Sequence, residues 1–258
     1  SWNETLLVRN LTNGQTLFTV NLAYDATALG NIAAGGLRDR SVALTWPAAN
    51  ANGRFEFTVT TDSTGQVFEN NLAGTAESNN ATQSIVLSAP DLVVNNLASD
   101  KLTAQTGDLV TLIWNDVNSG NTAVNTGWFD RIRVTNQSTG AVLVNDQLRF
   151  DPPAGGKVAP GGSVSRTYGF HVTDGNAGVG NLLIEVSADQ NTAGIGGLTE
   201  VNAGGTGETN NTASLSLTTS LASYPNLAVS APIAPASARG GEAVTINWTV
   251  TNHGSATA

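Results

Sequence analysis

Apolar and polar residues alternate along most of this chain in short runs, and Gly, Asn, Asp, Ser and Thr punctuate them. That period of two is the mark of half-buried strands, and no stretch carries a helical period of useful length. In "DLVTLIWNDV", Leu109, Thr111, Ile113 and Asn115 share one face. Val110, Leu112 and Trp114 share the other, with Val117 nearby. "WFDRIRVTN" and "AVLVNDQL" flank Gln137–Gly140 and predict a hairpin. "SVSRTYGFHV" sets Val164, Arg166, Tyr168 and Phe170 in one alternating row, and "DLVVNNL", "NLLIEVSA" and "TASLSL" complete seven strands. Seven short strands with frequent turn signals predict an all-β fold, an immunoglobulin-like sandwich. Its core is expected at Trp114, Ile132, Val134, Leu143, Tyr168, Phe170, Ile184 and Leu215.

The pattern repeats. "WNETLLVRNLTNGQTLF" overlays "WFDRIRVTNQSTGAVLV" at a constant offset of 126 positions, which pairs Trp2 with Trp128, Gly14 with Gly140 and Gly35–Gly36 with Gly161–Gly162. "AESNNATQSIVL" matches "GETNNTASLSL", "PDLVV" matches "PNLAV", and Trp114 matches Trp248. These matches predict four segments. Residues 1–89 carry the last five strands of a repeat, residues 90–217 a complete repeat, residues 218–224 a linker, and residues 225–258 the first two strands of the next repeat. Short linkers between such units make stiff strings of domains.

Composition narrows the function classes. The chain has 258 residues and a formal net charge of −9, and only 12% of its residues are charged. Its lysines are Lys101 and Lys157, and its arginines are scattered, so nucleic acid and anionic membrane surfaces are poor partners. No run of about 18 apolar residues is present, so no membrane insertion is expected within this segment. Cysteine is absent, which removes disulfides, thiolate metal sites and cysteine nucleophiles. Methionine is absent too, so Ser1 reads as a processed or excised end, with any export signal or anchor expected elsewhere.

"PDLVV", "GDLVTLIWNDVNSGNTA" with its central Trp and Asn-x-Gly end, and the acidic segment closing in Glu-x-Asn-Asn together resemble the bacterial cell-adhesion-related domain, CARDB. "GGEAVTINWTVTNHGSATA" and "AESNNAT" restate the second and third of these. The resemblance implies tandem β-sandwiches in large secreted or surface-attached bacterial proteins, an extracellular or cell-surface location, and no enzyme activity.

The residues themselves also argue against catalysis. The histidines are His171, at a strand end, and His253, in a loop, and neither accompanies a nucleophile elbow or a His-Glu-x-x-His motif. "GNAGVG" lies between strands with no helix to follow, so it is not a dinucleotide loop. The acids recur as sets: Asp62, Glu69 and Glu77 precede Asn79 and Asn80, and Asp189, Glu200 and Glu208 precede Asn210 and Asn211. Such oxygens suit Ca²⁺, which takes six to eight ligands. The alternative, weighted above it, is that they fix a loop by bonding its backbone. Trp2 and Trp128 open strands at the repeat edge; a core or junction role is weighed above sugar stacking.

Two functions follow as expectations. One is a structural unit of an extracellular fibre, stalk or adhesin, in which copies join head to tail by completing split sandwiches, noncovalently or as periods of a longer chain. Trp2, Leu6 and Val8 would meet Leu227, Val229, Val244, Ile246, Trp248 and Val250 at that seam. Burying about ten apolar side chains there is worth about 15–30 kcal/mol gross, before ordering entropy removes much of it. The other is a module that binds a glycan or surface partner through loops at one pole of a sandwich.

Overall fold

The computed structural model describes residues 1–47, 51–152 and 157–258. The chain is all-β. Its only α-helix among the described residues is the single turn α1 (Ala26–Leu29).

Residues 92–220 build a two-sheet sandwich from β5 (Leu92–Ser99), β6 (Thr103–Gln105), β7 (Leu109–Asn118), β8 (Trp128–Asn136), β9 (Val142–Phe150), β10 (Ser163–His171), β11 (Gly180–Ser187) and β12 (Thr212–Ser220). One sheet runs β10-β7-β5 and the other β6-β12-β11-β8-β9. Alternation explains the packing: Val110, Leu112 and Trp114 of β7 face Trp128, Ile132 and Val134 of β8, Leu182, Ile184 and Val186 of β11, and Leu217 of β12 across a closed core. The β8–β9 hairpin turns through Gly140, whose φ of 76° is the left-handed region a side chain resists. Asn136 holds that turn from below, donating Nδ2 to the carbonyls of Ala177 at 3.0 Å and Val179 at 2.9 Å.

Three expectations change in detail. Among the described residues the sandwich has eight strands rather than seven, because the short β6 adds to β12 in parallel. β12 continues to Ser220, three residues into the expected linker. Val117 lies on the opposite face from Trp114, and the inward position belongs to Asp116, which is fully buried.

Among the described residues, the first 88 form one sheet, not two. β1 (Trp2–Asn10), β2 (Thr16–Tyr24), β3 (Gly53–Thr60) and β4 (Ala81–Ser88) pair in the order β2-β1-β3-β4. Residues 37–45, which the 126-position offset matches to β10, form no ladder among the described residues. Its counterpart β10 pairs only with β7, and the first sheet has no strand in that place. Arg40 still reaches Glu4 at 2.9 Å, and Trp46 packs edge-on against Phe55 with ring centroids 4.6 Å apart. The last segment is a two-stranded ribbon, β13 (Leu227–Val229) with β14 (Val250–Asn252), extended by a bridge between Ile233 and Asn247.

Both junctions are pinned. Asn121 accepts the Ala89 N–H at 3.0 Å and donates to the Leu87 carbonyl at 2.6 Å. Tyr224 bonds through its hydroxyl to Thr106 at 2.7 Å and Asp174 at 2.8 Å.

Candidate functional site

The sandwich shows what a completed repeat buries, and the flanking pieces leave some of the same positions open. On β3 and β4, Val59 is 44% exposed and Val86 43%, whereas the corresponding Val186 and Leu217 are fully buried. On the ribbon, Leu227 is 59% exposed and Trp248 60%, whereas Leu92 is fully buried and Trp114 2% exposed. Val229, Val244, Ile246 and Val250 are exposed on the same alternating row. Leu6 and Val8 are buried, and Trp2 is half-buried, stacked on Tyr24 at 4.0 Å. The residues expected at the seam therefore split into an exposed ribbon face and a partly covered sheet face.

The end of the ribbon is already folded as in the sandwich. Asn226 N–H donates to Asn252 Oδ1 at 3.0 Å, as Asp91 N–H does to Asn118 Oδ1 at 3.2 Å. His253 N–H reaches the Asn226 carbonyl at 2.7 Å, as Ser119 N–H reaches that of Asp91. Gly254 and Gly120 each pass so close to the backbone just ahead of the first strand, at Tyr224–Asn226 and Ala89–Asp91, that a Cβ would collide with it.

The acidic residues cluster at one pole of each repeat. In the sandwich, Asp189 sits at φ 48° and accepts the Gly197 and Leu198 amides. Glu208 accepts the Glu200 N–H at 2.8 Å, and Glu200 accepts both the Leu92 N–H and Asn211 Nδ2. Asp91 accepts Nδ2 of Asn202 and of Asn210. These acids thus tie the start of β5 to the loop before β12. Burial pushes the Glu200 carboxyl up to about 8, against the pull of its two donors; the Asp189 and Glu208 charges add to the rise.

The first piece repeats that loop. Asp62, at φ 43°, accepts the Gln66 and Val67 amides at 2.7 and 2.9 Å, and Glu77 accepts the Glu69 N–H at 2.8 Å. One oxygen from each of Asp62, Glu69 and Glu77 falls within 4.8 Å of the others. Three carboxylates carry six oxygens, of the six to eight a Ca²⁺ shell takes. Both Asp62 oxygens and one Glu77 oxygen are already engaged by backbone amides.

A buried charge group escaped the sequence reading. Arg166 Nε lies 2.6 Å from Asp130 Oδ2 and 3.4 Å from Asp116 Oδ2, and Trp114 and Trp128 donate their indole N–H groups to the two acids. Burial, reinforced by the Asp130 charge, pushes Asp116 up to about 8. Burial also raises Asp130, against the pull of Arg166. Trp128 is only 2% exposed, so it offers no sugar platform. In the first piece Glu4 and Arg40 keep half of this group, and in the ribbon Val250 occupies the sequence position that matches Asp116. His171 is exposed, with Nδ1 3.0 Å from the Gly107 carbonyl oxygen.

No family model and no curated protein matches the sequence. Among solved structures, the chain is similar to the CARDB domain of the PF1109 protein from Pyrococcus furiosus. Its crystal structure, in complex with di-metal ions, matches at 16% identity and a TM-score of 0.35, over 53% of this chain and 99% of that one. The solution NMR structure of the same domain matches at 16% identity and a TM-score of 0.33, over 52% of this chain and 97% of that one.

Proposed function

We propose that this chain is a structural unit of an extracellular bacterial fibre or stalk, and that its ribbon completes the half-sandwich of a second copy. One observation carries this reading: Val186, Leu217, Leu92 and Trp114 are buried in the complete repeat, whereas their counterparts Val59, Val86, Leu227 and Trp248 are exposed, and these exposed positions fall on complementary halves of one sandwich. Residues 243–252 take the place of β7, against residues 37–45, which then gain the ladder partner that β10 has in the sandwich. The β10–β7 register sets Arg166 opposite Trp114 and Phe170 opposite Val110, so Arg40 meets Trp248 and Leu44 meets Val244. The contact is the same whether the ribbon comes from a separate copy or from the adjoining period of a longer polypeptide.

Such a contact joins different surfaces on the two copies and does not close on itself, so it propagates. Pinned junctions at Asn121 and Tyr224 suit a rod that transmits tension rather than a flexible string. The role is mechanical and asks no chemistry of His171 or His253. Sedimentation of the 258-residue chain over a range of concentrations tests it. Species growing stepwise from 26.4 kDa are expected. A monomer at every concentration refutes head-to-tail joining.

A further inference from the structure

The complete repeat secures the first strand of its sandwich with one carboxylate. Glu200 accepts the N–H of Leu92, the first residue of β5, and holds Asn211 with its other oxygen. The first piece has every part of this pole except the incoming strand. Asp62, Glu69, Asn71, Thr75, Glu77 and Asn80 stand where Asp189, Glu200, Asn202, Thr206, Glu208 and Asn211 stand. The internal bonds repeat as well: Glu77 to Glu69 N–H and Glu208 to Glu200 N–H are both 2.8 Å, and the Asn71–Thr75 and Asn202–Thr206 side-chain bonds are both 3.1 Å.

What differs is the acceptor. Glu69 Oε2 is buried and has no hydrogen-bond partner. A buried acceptor left unpaired is costly, and native structures rarely tolerate one without a reason. Beside it opens a cavity of about 490 Å³ lined by Trp2, Ile32, Asp62, Val67 and Glu69. The matching positions of the sandwich are Trp128, Val158, Asp189, Leu198 and Glu200, where Leu92 lies fully buried.

We propose that Glu69 is the receptor for the joining strand: its carboxylate takes the N–H of Leu227 from a second copy while the Leu227 side chain fills the cavity beside Trp2 and Val67. This assignment rests on the head-to-tail reading above and fixes which residue starts the seam. Leu227 is presented for the task, since the turn around Asn226 and Asn252 repeats the one that presents Leu92. Asn226 replaces Asp91, so its side-chain carbonyl meets the amides of Asn71 and Asn79 without adding a charge to a pole that already holds three acids.

The test compares Glu69→Ala and Glu69→Gln with the unmodified chain by sedimentation, alongside amide exchange at Leu227. Loss of a charged acceptor should weaken joining about 10- to 100-fold in Glu69→Ala, and less in Glu69→Gln, which keeps one oxygen. The melting temperature of the unjoined chain should hold in both, because Glu69 Oε2 has no hydrogen-bond partner there. The Leu227 amide should be protected on joining only in the unmodified chain and Glu69→Gln. Joining of Glu69→Ala at full strength, with Trp248→Ala still defective, overturns the receptor and leaves head-to-tail joining intact. Failure of the unmodified chain to join overturns both. Added Ca²⁺ that raises the melting temperature of the unjoined chain and blocks joining would give the carboxylates to a metal and likewise overturn the receptor.

Discussion

Trp248→Ala separates the cost of the seam from the cost of folding. In the sandwich, Trp114 is 2% exposed, and in the ribbon Trp248 is 60% exposed. Removing a fully packed tryptophan costs about 3–5 kcal/mol, the sum of lost transfer energy and the cavity left behind. At Trp114 that cost falls on folding. Trp114→Ala should lower the melting temperature of the complete repeat by roughly 10–25 °C, given the entropy of unfolding for a domain of this size. At Trp248 the same cost falls on joining, because the free chain gains little from an exposed ring. The joining constant should weaken by about 10²- to 10³-fold or more, at 1.4 kcal/mol per factor of ten. Sedimentation over a concentration series and calorimetry on one sample read both quantities. Trp248→Ala should melt like the unmodified chain and stay monomeric at concentrations where that chain has joined. A Trp248→Ala chain that joins with undiminished strength refutes the reasoning, and so does one that loses stability as Trp114→Ala does.

Other outcomes follow from the buried charges and close approaches. Asp116 and Glu200 rise from ordinary values of 3.8 and 4.5 to about 8, so the folded repeat binds more protons than the unfolded chain between about pH 4 and 8. Their contribution is present in full at the acid end of that window and fades as pH rises through about 8. The melting temperature should therefore fall across it, and Asp116→Asn should flatten the slope. Arg166→Met leaves two buried acids without their cation and should cost about 3–5 kcal/mol in urea unfolding at neutral pH. Gly254→Val forces a side chain into the Tyr224–Asn226 backbone and should weaken joining, while the sandwich melts unchanged.

Much of this architecture is legible in the sequence because strands write their faces at a period of two. Trp128, Ile132 and Val134 fall on one row, and the structure buries all three. The repeat was legible because Trp2 and Trp128, or Asn10 and Asn136, recur at one offset. The charge group was missed for a physical reason: an acid on a strand reads as solvent-facing, and only a partner far along the chain makes its burial affordable. A usable signal was present. Glu4 with Arg40 and Asp130 with Arg166 recur at the same offset, and each acid alternates in step with buried apolar residues. Residues 37–45 match β10 at the 126-position offset but form no ladder among the described residues, because a strand needs a neighbour and sequence alternation does not supply one. Nor could the sequence reveal that Glu69, unlike Glu200, has an oxygen left over, since that depends on a contact the first piece lacks.

The central claim is that residues 243–252 of one copy lie beside residues 37–45 of another in the register of β7 and β10. Thr167 and Ile113 face each other on the outer side of that pair, which places Ser41 opposite Asn247 across the seam. With no native cysteine to interfere, Ser41→Cys combined with Asn247→Cys gives one candidate disulfide. After mild oxidation, a non-reducing gel should show a ladder of multimers of 26.4 kDa that collapses to one band on reduction. A single monomer band after oxidation, free or cross-linked within itself, would contradict the account.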